Sequence, residues 1–80
     1  MQLTFSTYSG YIAVTPSDTT RLNCRAIYVA GTGDVALSVD GTTASVVFKT
    51  VPGGAILPIN LDQGRILATG TTATNIVALQ

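Results

Sequence analysis

Apolar and polar residues alternate in short runs along this chain, and Gly, Pro and Asp bound the runs. The cleanest run is Asp34 to Val39, where Val35, Leu37 and Val39 face one way and Ala36 and Ser38 the other. A period of two marks a strand with one covered face. The same reading predicts strands at Tyr11 to Thr15, Arg25 to Ala30, Ala44 to Val51, Ile56 to Leu61, Arg65 to Thr69 and Asn75 to Leu79, with a weak first strand at Leu3 to Thr7. No window carries a sustained 3.6-residue apolar stripe, so no helix longer than a turn is expected.

The breaks between runs have turn chemistry. Pro16-Ser17-Asp18 combines a fixed φ with a carboxylate able to bond nearby backbone. Asp40-Gly41 is the best short hairpin signal, because both residues tolerate positive φ. Gly31-Thr32-Gly33, Pro52-Gly53-Gly54, Asp62-Gln63-Gly64 and Gly70-Thr71-Thr72 complete the set. The expected turn residues are therefore Asp18, Gly31, Gly33, Asp40, Gly41, Gly53, Gly54 and Gly70. Seven to eight short strands at this spacing predict an all-β fold, a small antiparallel β-sandwich or barrel. Residues 11–80 form one domain on this reading, and residues 1–10 an N-terminal arm or weak first strand.

Alternation fails where both faces of a strand turn apolar. Ile27-Tyr28-Val29, the segment with Ile56, Leu57 and Ile59, Ile66-Leu67-Ala68 and Ile76-Val77-Ala78-Leu79 all do this. A small sandwich covers one face of each sheet and leaves the other wet. Contiguous exposed apolar patches are uncommon on monomers, so neighbouring subunits are expected to cover the excess. The predicted interface is Tyr28, Ile56, Leu57, Ile66, Leu67, Ile76 and Leu79, in a homo-oligomer such as a trimer or pentamer.

Composition points the same way. Thr, Val and Ile make up about a third of the 80 residues, and branching at Cβ favours extended backbone. A chain this short buries only roughly 62% of its unfolded surface, a thin core that usually needs a staple. With one cysteine, no histidine and no glutamate, neither an intrachain disulfide nor a recognisable zinc site is available. Association with other chains is the staple that remains. Four basic residues balance four Asp, so no basic stripe exists for nucleic acid. The N-terminus lacks the basic and apolar regions of a signal peptide, and no apolar run reaches membrane-spanning length. Synthesis and assembly in a cytosol, with Cys24 reduced, are the default.

Candidate chemistry is thin. Gly31-Thr32-Gly33-Asp34-Val35-Ala36 fits G-x-G-x-x-A, but a dinucleotide site needs a helix to open there and the following residues alternate like a strand. Cys24 has no histidine to activate it and reads as a small buried thiol. The four Asp lie at turns or strand ends, where they cap backbone; Asp18 and Asp34 are two isolated ligands, weak support for a calcium site. Tyr8, Tyr11 and Tyr28 offer the aromatic surface that a glycan- or receptor-binding tip module would use. No enzyme and no cofactor are expected.

Five ordered segments carry a resemblance. They are Ala13-Val14-Thr15-Pro16-Ser17-Asp18-Thr19, Arg25-Ala26-Ile27-Tyr28-Val29, Gly33-Asp34-Val35-Ala36, the run from Val51 to Ile59, and the run from Ile66 to Leu79. From Tyr11 onward the chain resembles the small spike-base (head-fibre base) and capsid-decoration proteins of tailed phages and gene-transfer agents. Met1 to Gly10 and Gln80 depart from that pattern. The resemblance implies a virion protein on the capsid exterior that stabilises the shell or anchors a head fibre. The major capsid protein and a fibre protein would be its partners. A tail or baseplate β-sandwich adaptor is the alternative that composition does not separate from it.

Overall fold

The computed structural model describes residues 8–80, so the strand expected at Leu3 to Thr7 lies outside the described residues. Among the described residues eight strands form: β1 (Tyr11–Val14), β2 (Leu22–Cys24), β3 (Ala26–Gly31), β4 (Gly33–Ser38), β5 (Val46–Val51), β6 (Ala55–Leu57), β7 (Leu61–Ile66) and β8 (Thr74–Leu79). They pair antiparallel in two four-stranded sheets, ordered β1-β8-β3-β6 and β2-β7-β4-β5. No helix occurs among the described residues. The all-β fold expected from the alternation is the fold observed.

The connectivity departs from a chain of hairpins. Only β4 and β5 are both consecutive and paired; every other connection carries the chain from one sheet to the other. Gly31-Thr32-Gly33 is one of these corners, with a single residue between β3 and β4, rather than a turn between paired strands. The Asp40-Gly41 hairpin is real, but its loop spans residues 39–45 instead of two residues.

Three boundaries move for local reasons. The strand expected from Ile56 to Leu61 is two strands in different sheets. Pro58 lacks an N–H for the ladder, and the chain turns tightly there, with Ile59 N–H donating to Leu57 O at 2.8 Å. Asp62-Gln63-Gly64 lies inside β7 rather than in a turn. Its glycine is there because Ser38 O presses against the position a Cβ would occupy. The third is β2, a three-residue strand whose pattern is too short to read.

The core lies between the sheets. Ile27, Val29, Ile76 and Ala78 come from one sheet, and Cys24, Val35, Leu37, Val51, Leu61 and Ile66 from the other. Part of the apolar excess is covered by the chain itself. The segment 67–73 runs along β4: Leu67 N–H donates to Ala36 O, Ala36 N–H to Thr71 Oγ1, and Thr72 N–H to Asp34 O. Gly70, with φ of +97°, lies over Ala36 and Val47. Ala36 is buried in consequence although it alternates away from the core; Ser38, on the same face, is buried with its hydroxyl donating to Thr43 O at 2.8 Å.

Candidate interaction surface

The other sheet keeps its outer face open. Its register aligns Ala13 with Val77, Val77 with Tyr28, and Tyr28 with Ile56, so one outward row crosses all four strands. Tyr28 and Val77 are half-buried, Ala13 is exposed, and Ile56 is 51% exposed. Tyr11 and Leu79 face each other one row along, with Tyr11 79% exposed. Side chains directly opposite across strands pack against each other, so the row is a continuous apolar strip.

The predicted interface residues divide accordingly. Tyr28, Ile56 and Leu79 share this outer face. Leu57 faces inward and packs against the core, and Leu67 is half-buried just past β7. Ile66 and Ile76 are 1% and 2% exposed and belong to the chain's own core, so neither side chain is open to a neighbour. β7 and β8 are central strands, and the facing sheet covers these two side chains.

A second apolar region lies at the β5 edge, which the sequence reading did not single out. β5 is the outermost strand of its sheet, and Val46, Val47 and Phe48 are all exposed. Val46 and Phe48 pair with Leu37 and Val35 and share their inward face. The facing sheet ends there in three-residue β6, which leaves them uncovered. A cleft of about 150 Å³ results, lined by Leu37, Val39, Thr43, Ala44, Val46, Phe48 and Ile59. A signal was present: two adjacent valines and a phenylalanine in one run mean apolar groups on both faces.

The Asp carboxylates hold loops together. Asp18 accepts from Thr69 N–H at 2.9 Å and from Thr69 Oγ1 at 2.6 Å, which keeps its pKa below the usual carboxylate range. Asp40 accepts from the Thr43 and Thr42 N–H groups and both hydroxyls, and is lowered to about 2. Asp34 is lowered chiefly by the Thr50 N–H, helped by Lys49 at 3.5 Å. Asp18 therefore spends its oxygens on the loop at Thr69, and Asp34 on Thr50 and Lys49 of β5. The Cys24 thiol is buried, and desolvation raises its pKa, which makes it a poor nucleophile. Among the described residues, no group of three or more metal-ligating side chains comes together.

The G-x-G-x-x-A stretch lies in β3 and β4 with no helix. A Cβ on Gly33 would stand 2.5 Å from Ala73 N, and one on Gly31 would run into the Thr74 side chain. Both glycines let the 72–74 backbone close over the corner. Of the other expected turn residues, Gly53 and Gly54 form the β5–β6 turn, and Gly41 and Gly54 have positive φ.

No family model and no curated protein matches the chain. It is similar to a chain in a solved structure, the capsid of a native GTA (gene-transfer agent) particle computed with C5 symmetry. The identity is 36% and the TM-score 0.78, over 94% of this chain and 86% of the other. Shared sequence and shared fold through nearly the whole of both chains mean common descent: this protein belongs to the same family as that chain of the gene-transfer-agent capsid structure.

Proposed function

We propose that this chain is a non-enzymatic structural protein of a phage-like particle, a decoration or spike-base subunit attached to the outside of the capsid. The observation that carries this is the full-length likeness to a chain of a gene-transfer-agent capsid structure. The surface supports it. The uncovered apolar row Ala13, Val77, Tyr28, Ile56 suits a static contact, while Asp18 and Asp40 are engaged in holding loops and Asp34 in holding β5. The partners on this reading are further copies of the chain, the major capsid protein and a fibre protein. The subunit is made and assembled in the host cytoplasm, where Cys24 stays a thiol.

Electron microscopy of whole particles, with the chain tagged in the 39–45 loop, tests this. Added density on the capsid exterior is expected. Density confined to the tail, or purified protein that fails to bind emptied capsids, overturns it.

A further inference from the structure

Six of the seven large apolar residues that stand exposed among the described residues lie on sheet-edge strands: Tyr11 and Ile12 on β1, Val46, Val47 and Phe48 on β5, and Ile56 on β6. At β5 the apolar surface is concave, the cleft beside Val46 and Phe48. At β1 two apolar side chains stand open on opposite faces: Tyr11, 79% exposed, on the outer face, and Ile12, 49% exposed, on the inner face across from Ala78. Among the described residues each strand pairs on one side only, β1 with β8 and β5 with β4.

We infer that the β5 edge of one copy takes the β1 edge of the next, with Ile12 of the second seated in the cleft of the first. This names a contact within the assembling subunit proposed above and rests on that reading. An edge strand is a template for another strand, and natural edges are usually guarded by charge. Tyr11 to Val14 carries no charge, and neither does Val46 to Phe48. Lys49, which would be the guard on β5, is bound back to Asp34 of its own sheet. Lys49 is the one charged residue of β5, and it lies beyond the Val46 to Phe48 stretch that lines the cleft.

The pairing joins two different surfaces, so it is head-to-tail and closes into a ring if the rotation allows. A two-fold pairing of β5 with itself would leave Tyr11 and Ile12 of β1 uncovered. The head-to-tail contact covers both.

Cysteines at the two edges test this. In the Ile12→Cys/Val46→Cys variant the two positions lie on opposite edges of the sandwich, so a disulfide reports contact between chains. Mild oxidation is expected to give a ladder of covalent oligomers, and each single variant only monomer. Ile12→Lys and Val46→Lys, both at exposed sites, should each weaken self-association tenfold or more without lowering the thermal midpoint. Covalent dimer from Val46→Cys alone would replace the inference with a two-fold contact. Oligomers that persist with no cross-link would overturn the edge pairing and leave the capsid role standing. Protein that stays monomeric at micromolar concentration yet binds capsids would overturn the pairing alone. Failure to bind capsids would remove the proposed function itself.

Discussion

Asp34 Oδ1 accepts a hydrogen bond from Thr50 N–H at 2.9 Å, across a bulge where β5 carries one residue more than β4 between the paired positions Gly33–Val51 and Val35–Phe48. Thr50 sits there with φ of 53°, a conformation that β-branched residues seldom adopt. Asn23 and Gln63 repeat the arrangement. Gln63 has φ of 57°, its N–H donates to Asn23 Oδ1 at 2.7 Å, and β7 gains a residue over β2. In both bulges a short polar side chain on the partner strand takes up the N–H that the ladder has lost.

Strain at Thr50 should be removable. Thr50→Gly loses the left-handed penalty, which is about 1–2 kcal/mol, and gives back part of it in backbone entropy. A small net gain in urea midpoint is expected. Asp34→Ala works the other way, because it leaves the Thr50 N–H without its acceptor; the midpoint should fall. A loss from Thr50→Gly would mean that the bulge is not strained.

Acid should unfold the protein by way of its carboxylates. Asp18, Asp34 and Asp40 all have folded-state pKa values below the ordinary 3.8, with Asp40 at about 2. A lowered carboxylate contributes stability that is complete above its unfolded value and disappears as pH falls through the folded one. Thermal midpoints should be flat down to about pH 5 and drop between about pH 4 and pH 2. Asp40→Asn should lower the neutral-pH midpoint and make the acid slope shallower. An unchanged slope would argue against the Thr42–Thr43 cap.

Burial separates two isoleucines that look alike in sequence. Ile66→Ala empties a core site and should cost about 2–5 kcal/mol. That is a large share of the roughly 4–12 kcal/mol expected for a domain of this length. Ile56→Ala removes an exposed side chain and should shift the midpoint by less than about 0.5 kcal/mol while weakening capsid binding. Equal losses of stability would contradict the placement of these side chains.

Two glycines should differ in the same way. Gly33→Ala drives a methyl group into the Ala73 backbone and should abolish folding, measured as loss of the cooperative thermal transition. Gly54→Ala meets nothing within 4 Å and bears only the cost of its φ of 86°, about 1–2 kcal/mol.

Strand content was legible because alternation is a property of each strand by itself. The Asp34 to Val39 run reads directly as β4 and its covered face. Which strands pair was not legible, since corners such as Gly31-Thr32-Gly33 use the same residues as turns. Asp62-Gln63-Gly64 misleads for a related reason: a bulge at positive φ and a turn select the same chemistry. On the open apolar face, Tyr28, Ile56 and Leu79 were readable as apolar groups in excess of what one core needs. Ile66 and Ile76 were not separable from them, because a run apolar on both sides does not say which side meets the opposite sheet. The β5 cleft depends on how soon β6 ends, and Pro58, which marks that end, lies in another strand's segment.

The place of β8 has a consequence for synthesis. It lies between β1 and β3, which have no other partner in common, and it supplies Ile76 and Ala78 to the core. Until Leu79 has left the ribosome, one sheet lacks one of its two central strands, β1 has no partner, and the finished sheet has only the β3–β6 pair to close against. A growing chain therefore has no partly finished domain to rest in, and stalled or clipped products should be cleared by proteases instead of accumulating as competitors for the particle.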